Sequence, residues 1–323
     1  MSTCFRFCPT IARPVENKPS SVCFMKNNHH SQIFKIALTA ALLAAFIFAG
    51  PALAQNQPIV GKDNFEALKK KAEAGRWSRL AVGERTAKTA YAMLGTPYKA
   101  GTLDQTAREI PSVNMAAVDC VTFVESALAF ARLLKSGTVT AQKLADEVSY
   151  IRYRDGRADG YTSRLHYMSD WFFDNVKKGV VTLPVLPGAI NFKQKVAFMS
   201  QHPQSYRQLR DNVNLISVMQ KQEAAINLRD QLKYIPLDKI ALAEPQLETG
   251  DIIAVTTNIA GLDVVHVGFV YRTADGAAHF LDASSKKSCM KVTLETTPFS
   301  KSFTWSRDLT GIIVARPLEL SPR

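Results

Sequence analysis

The chain has 323 residues, is 46% apolar and 21% charged, and carries a formal net charge of +12. This is the composition of an ordinary globular protein with material for one large domain or two small ones, and it excludes a low-complexity or intrinsically disordered chain. No basic run is interleaved with aromatics, no G-x-x-x-x-G-K-[ST] or G-x-G-x-x-G loop occurs, no C-x-x-C is present, and after residue 54 no two histidines are closely spaced. The sequence therefore offers no nucleic-acid, phosphate-loop or zinc signature.

Ile36 to Gly50 is almost wholly apolar, follows Lys26 and Lys35, and runs into Pro51-Ala52-Leu53-Ala54. A basic flank, a short apolar core and an Ala-x-Ala end describe a secretory signal peptide. At about 15 residues the run is short for a membrane span, which needs roughly 20, so an uncleaved anchor is the lesser reading. The 24 residues before Met25 are unlike a leader, which suggests a true start at Met25. The expected leader is 1–54, with the mature protein beginning at Gln55, periplasmic or secreted, and without a stable membrane span. Cleavage removes Cys4, Cys8 and Cys23 and leaves Cys120 and Cys289, which either pair as one disulfide or stay reduced. The mature chain has 35 basic and 27 acidic residues, a net of +8.

Asn64 to about Trp77 and Val82 to about Leu94 read as helices, the second ending at Gly95 with Pro97 beyond. A turn-rich loop containing Tyr98 leads to Val118-Asp119-Cys120, where an apolar-periodic helix begins. Phe123, Ala127, Phe130 or Ala131, and Leu134 recur at three- and four-residue steps and mark one buried face. Residues 138–245 carry helical patches at about 140–150, 169–178 and 213–232, with no linker or repeat. They read as a helical insertion into a single domain spanning 55–323. After Gln246 short Val-, Ile- and Phe-rich runs follow, at Asp251–Thr257, Val264–Arg272, Ala278–Ser285, Cys289–Glu295 and Gly311–Pro317. Ala274-Asp275-Gly276 is a hairpin turn between the second and third. Helices first and antiparallel strands after give an α+β fold class.

Cys120 falls in the first turn of its helix, where unpaired N–H groups and the helix dipole favour a thiolate. A buried structural thiol is the alternative. His266 stands in the apolar run Val264-Val265-His266-Val267-Gly268-Phe269 and needs a partner there. An imidazole beside a thiol takes its proton and returns it to a leaving amine. With the hairpin turning near Asp275, His266 lies opposite about Ser284, and Asp282 is diagonal on the same face. That places Asp282 within reach, at roughly 7–8 Å between backbones. His279 is roughly 13 Å along the strand and on the other face, so Asp282 is the better orienting group.

In order, Leu94-Gly95-Thr96-Pro97-Tyr98, Asp119-Cys120, Gly250-Asp251-Ile252-Ile253, His266-Val267-Gly268 and Asp282-Ala283-Ser284 resemble the NlpC-type papain-like cell-wall hydrolases. Within them the chain is most similar to the N-acetylmuramoyl-L-alanine amidase-like family. That likeness rests on Asp119-Cys120-Val121-Thr122-Phe123-Val124-Glu125, Ser163-Arg164-Leu165-His166-Tyr167 with Ser169-Asp170-Trp171, and Tyr234-Ile235-Pro236, and spans about 85–317.

The resemblance implies a papain-like fold, Cys120 as nucleophile and His266 as base. The third polar position, usually histidine in His-Ala-Ser, is Asp282 here. Tyr98 matches a tyrosine beside the nucleophile. Ser163 and Arg164 match a segment bordering the substrate cleft, with Arg164 either pairing a substrate carboxylate or held in a structural ion pair. The implied activity is hydrolysis of the muramoyl–L-alanine amide of peptidoglycan fragments (muropeptides). Cleavage of the γ-D-glutamyl–diamino-acid bond and a non-catalytic muropeptide binder are the alternatives. No metal or organic cofactor is implied, and a monomer is expected. No wall-binding repeat is visible between residues 55 and 90, which favours small soluble fragments as substrate.

Overall fold

The computed structural model describes residues 59–321 apart from residue 107. The expected leader, the start at Met25 and the cleavage before Gln55 lie outside the described residues. Short strand β1 (Ile59–Val60) leads into helices α1 (Lys62–Ala74) and α2 (Val82–Ala92). Strand β2 (Val113–Asn114) pairs parallel with β1. The central helix α3 (Cys120–Leu134) is followed by α4 (Ala141–Arg152) and α5 (Met168–Lys177). Two-residue strands β3 (Val181–Thr182) and β4 (Ile190–Asn191) come next. Helices α6 (Phe198–Gln201), α7 (Arg207–Asp211) and α8 (Asn214–Asn227) then precede β5 (Lys233–Pro236) and the one-turn α9 (Ile240–Ala243). The chain closes with β6 (Ile252–Thr257), β7 (Val264–Arg272), β8 (Ala278–Ser284), β9 (Lys291–Leu294) and β10 (Leu309–Pro317). Among the described residues no helix is long and apolar enough to cross a membrane.

The fold is α+β. An antiparallel sheet runs β4-β5-β10-β6-β7-β8-β9, with β3 also paired to β10. Val, Ile and Phe fill its central strands because both faces are covered. One face, with Ala254, Val267, Phe269, Leu281 and Ile313, packs on α3 through Phe123, Ala127 and Phe130. The other, with Ile253, Val255, Val270, Phe280 and Ile312, packs on Phe299, Phe303, Ile240 and Leu186. A third cluster, with Tyr161, Tyr167, Met199, Tyr206, Leu209 and Met219, holds the helical segments that precede β5.

Helix α3 is buried on every side, not along one face as the periodicity suggests: all its residues except Val121 are buried. Ala127, Ala129 and Ala131 let neighbouring elements approach closely. Its two charged residues face partners well separated in sequence. Arg152 Nε donates to Glu125 Oε2 at 2.7 Å, Trp171 Nε1 donates to Glu125 Oε1 at 3.3 Å, and Arg132 Nε donates to Glu147 Oε1 at 2.8 Å. A helix enclosed all round keeps its ends fixed, and the N-terminal end carries Cys120.

Candidate active site

Asp119 caps α3. Thr122 N–H donates to Asp119 Oδ1 at 2.8 Å and Asp119 N–H donates to Thr122 Oγ1 at 2.9 Å, a reciprocal capping box. Such a cap contributes about 1 kcal/mol, and it starts the helix at Cys120. Burial pushes the Asp119 carboxyl up, against the hydrogen bonds from Thr122. Cys120 is 1% exposed, and both Cys120 and Cys289 are free thiols. The disulfide alternative is therefore set aside: one thiol is buried at a helix start and the other is half-buried in the stretch before β9.

His266 and Asp282 come together by register. Gly268 pairs with Asp282 across β7 and β8, as the hairpin turn predicts, so Asp282 is diagonal to His266. The His266 Nε2 to Asp282 Oδ2 distance is 2.6 Å, with both side chains buried. An ionised carboxylate only accepts, so Nε2 carries the proton and Nδ1 keeps the lone pair. Gly268 permits this pairing: a Cβ there would lie 2.6 Å from the Leu281 carbonyl oxygen and 2.8 Å from the Phe280 ring. Beyond His266 the β6 register slips, because Val255 pairs with His266 but Thr256 with Val264. The extra residue, Val265, is a bulge, a device that re-aims side chains beside sites.

His266 borders two cavities. One, of about 120 Å3, is also lined by Asp119, Cys120, Thr122, Arg164, His166 and Asp263. The other, of about 200 Å3, is lined by His266, Asp282, Trp305 and the polar residues around them. The His266 ring meets Phe280 and Trp305 edge-to-face, at 5.9 and 6.1 Å between centroids. His279, expected to be remote, pairs with Tyr271, and its Nδ1–H donates to the Glu295 carbonyl at 3.0 Å.

The three expected substrate-binding residues are placed differently. Tyr98 is stitched near Cys120 by backbone bonds: its N–H donates to the Met290 carbonyl, and Lys99 N–H donates to that of Val118, two residues before Cys120. Its side chain packs against the main core and lines neither cavity. Ser163 lines neither cavity. Its hydroxyl donates to the Gly160 carbonyl at 2.7 Å and accepts from Asp159 N–H at 2.9 Å, closing a local turn. Arg164 does line the Cys120 cavity, but its Nη2 already donates to Asp104 Oδ1 at 2.7 Å and Glu109 Oε2 at 3.0 Å. Of the two readings of Arg164, the ion pair within the chain is the one observed.

The sequence reading passed over His166 and Trp305. His166 Nε2–H donates to the Tyr161 carbonyl at 2.9 Å, and burial together with the nearby Arg164 charge holds its pKa far below the usual imidazole range. The run Ser163–Trp171 drew attention to this segment, but no local pattern separates His166 from its neighbours. Trp305 lies in the connection before β10, where no period marks it. Among the described residues no group of three or more His, Cys, Asp and Glu is placed to hold a metal ion.

The model of the N-acetylmuramoyl-L-alanine amidase-like family matches residues 88–303. A crystal structure of an N-acetylmuramoyl-L-alanine amidase from Bacteroides uniformis ATCC 8492 is 34% identical, with a TM-score of 0.67 over 74% of this chain and 99% of that one. A Bacteroides fragilis protein provisionally described as a xylanase is 39% identical, with a TM-score of 0.65 over 70% of this chain and 98% of that one. A Legionella pneumophila protein at 19% identity and a TM-score of 0.60, over 81% of this chain and 97% of that one, shares the fold. A search of curated protein sequences finds no match. With two thirds of its length under the family model and a 34% identical relative covered from end to end, the chain belongs to the N-acetylmuramoyl-L-alanine amidase-like family.

Proposed function

We propose that this protein is an exported, monomeric cysteine amidase of papain-like fold that hydrolyses the amide between N-acetylmuramic acid and L-alanine in soluble muropeptides. The observation that carries this reading is the buried 2.6 Å His266–Asp282 bond at the edge of the cavity that Cys120 lines. Cys120 Sγ adds to the lactyl carbonyl carbon as its proton passes to His266 Nδ1. The carboxylate of Asp282 stabilises the imidazolium and fixes its ring. Backbone N–H groups at the start of α3 stabilise the oxyanion. The C–N bond breaks as the proton passes from His266 to the alanine nitrogen, leaving a thioester. Water then adds to the thioester, giving a proton to His266, and the C–S bond breaks to release the sugar acid and restore the thiol. No metal or organic cofactor takes part.

The description of the Bacteroides fragilis relative raises glycoside cleavage, which needs two carboxyl groups flanking one bond. The carboxylates near Cys120 have other work. Asp119 caps α3, Asp263 accepts from Ser169 N–H and Val264 N–H, and Asp104 faces Arg164. Incubation with defined muropeptides and mass spectrometry tests the amidase reading. Intact sugar with a peptide bearing free N-terminal alanine is the expected outcome. A disaccharide–L-Ala–D-Glu product would move the cut into the stem peptide and refute it.

A further inference from the structure

A buried carboxylate that the mechanism does not use joins two walls of the Cys120 cavity. Asp263, 2% exposed, stands immediately before β7 and three residues before His266. One wall is this start of β7; another is the segment with Arg164, His166 and Met168 that runs into α5. Asp263 Oδ2 accepts from Ser169 N–H at 2.7 Å, and Oδ1 accepts from Val264 N–H at 2.8 Å. Ser169 is the second residue of α5, and Tyr167 before that helix supplies no capping side chain. The cap comes instead from Asp263, 94 residues further along the chain. A carboxylate there meets both an otherwise unpaired N–H and the positive end of the helix. The Asp263 backbone is fixed as well, because its carbonyl accepts from Thr257 N–H of β6 at 3.3 Å. Just beyond it the β6–β7 register slips at Val265, and His266 follows. A bulge re-aims the side chain beside it, so the aim of His266 depends on what holds β7 on either side. Beyond His266 the hold is the pairing of Gly268 with Asp282. Before it the hold is the pairing of Val264 with Thr256 and the Asp263 carboxylate.

We propose that Asp263 is a positioning residue: by clasping the start of β7 to the N-terminus of α5, it sets the His266 ring at the distance and angle from Cys120 that proton transfer needs. This rests on the cysteine-amidase reading. Asp263 acts through His266 and not on the substrate. The His266–Asp282 bond follows from the β7–β8 register, so releasing the clasp leaves that bond in place and moves the pair relative to the thiol.

The test reads thiol and imidazole separately, at neutral pH and well below the unfolding midpoint. Asp263→Ala slows iodoacetamide labelling of Cys120 about 10- to 100-fold, the scale of a misplacement of about 1 Å, and leaves Cys289 unchanged. The downfield proton resonance of His266 Nε2–H, bonded to Asp282, persists. Asp263→Asn, with one acceptor oxygen for two donors, falls between the two. Should Asp263→Ala not fold, Asp263→Asn carries the comparison: slower Cys120 with the resonance retained supports the clasp, and the wild-type rate overturns it. Asp170→Asn controls for a loosened helix, because Asp170 lies on α5 but bonds Arg154 and Arg229 and lines neither cavity. It slows Cys120 less than about threefold. Unchanged labelling in Asp263→Ala, equal slowing in Asp170→Asn, or loss of the Nε2–H resonance would overturn the clasp. The two readings fail differently. Wild-type Cys120 labelled no faster than Cys289 sinks thiol activation and the clasp together. Fast wild-type labelling that the Asp263 variants leave unchanged sinks the clasp alone. Fast labelling that they slow, in a protein that does not cut the muramoyl–L-alanine amide, sinks the substrate reading and keeps the clasp.

Discussion

His266 and His166 both line the cavity beside Cys120, and each directs Nε2–H to an oxygen acceptor. For His266 the acceptor is the Asp282 carboxylate; for His166 it is the neutral Tyr161 carbonyl, with the Arg164 guanidinium close by. A carboxylate stabilises the protonated ring, whereas a carbonyl in a dry site beside a cation does not. In the proposed mechanism the first imidazole takes a proton at Nδ1, whereas burial and the Arg164 charge hold the second neutral. The partner, not the residue type or its distance from a cavity, distinguishes a base from a buried wall.

Substitutions sharpen the contrast. Cys120→Ala has the largest effect, lowering turnover by about 10⁴-fold or more with the thermal unfolding midpoint little changed. Activity within tenfold of wild type in a folded protein would remove the thiol from the mechanism. Asp282→Ala lowers the rate by about one to three orders of magnitude, because orientation and imidazolium stabilisation are contributory. His279→Ala, on the far side of the hairpin pairing, stays within about threefold. The reverse ranking of these two would break the assignment of the orienting carboxylate.

His166→Gln separates the two histidines by pH. Folded His166 binds its proton less tightly than the unfolded residue does, so below about pH 6.5 the unfolded state holds more protons. Wild-type stability is fully present above that pH and falls as the pH drops, with a slope of at most about 1.4 kcal/mol per pH unit from this group. Urea midpoints for His166→Gln between pH 7 and 5 show a flatter dependence, and activity at pH 7 stays within about threefold. An unchanged slope, or a loss of activity matching that of Asp282→Ala, contradicts the division of roles.

Much of this arrangement was legible in the sequence where the causes are local. Asp119 before an apolar run marks the start of α3, and the β-branched runs after residue 250 mark the strands. The Asp275 turn fixes the register that sets Asp282 diagonal to His266. What escaped is non-local. Strands β3 and β4 have two residues each and no period, yet β3 and β5 complete the sheet through β10. Glu125 and Arg132 find their partners on α4, and Arg164 finds its partners in the loop before α3, separations that no periodic pattern encodes. The local bonding of Ser163 is equally hidden, because a hydroxyl that closes its own turn reads the same in sequence as one facing a cleft.

The central claim is that Cys120 is activated by His266, and the alkylation rates of the two thiols test it most directly. Cys120 is 1% exposed, while Cys289 is half-buried. Access alone therefore makes Cys289 the faster to react with iodoacetamide. Activation reverses the order: at neutral pH Cys120 is labelled much faster, and His266→Gln slows Cys120 without affecting Cys289. Equal or access-ordered labelling, unchanged by His266→Gln, would contradict the account.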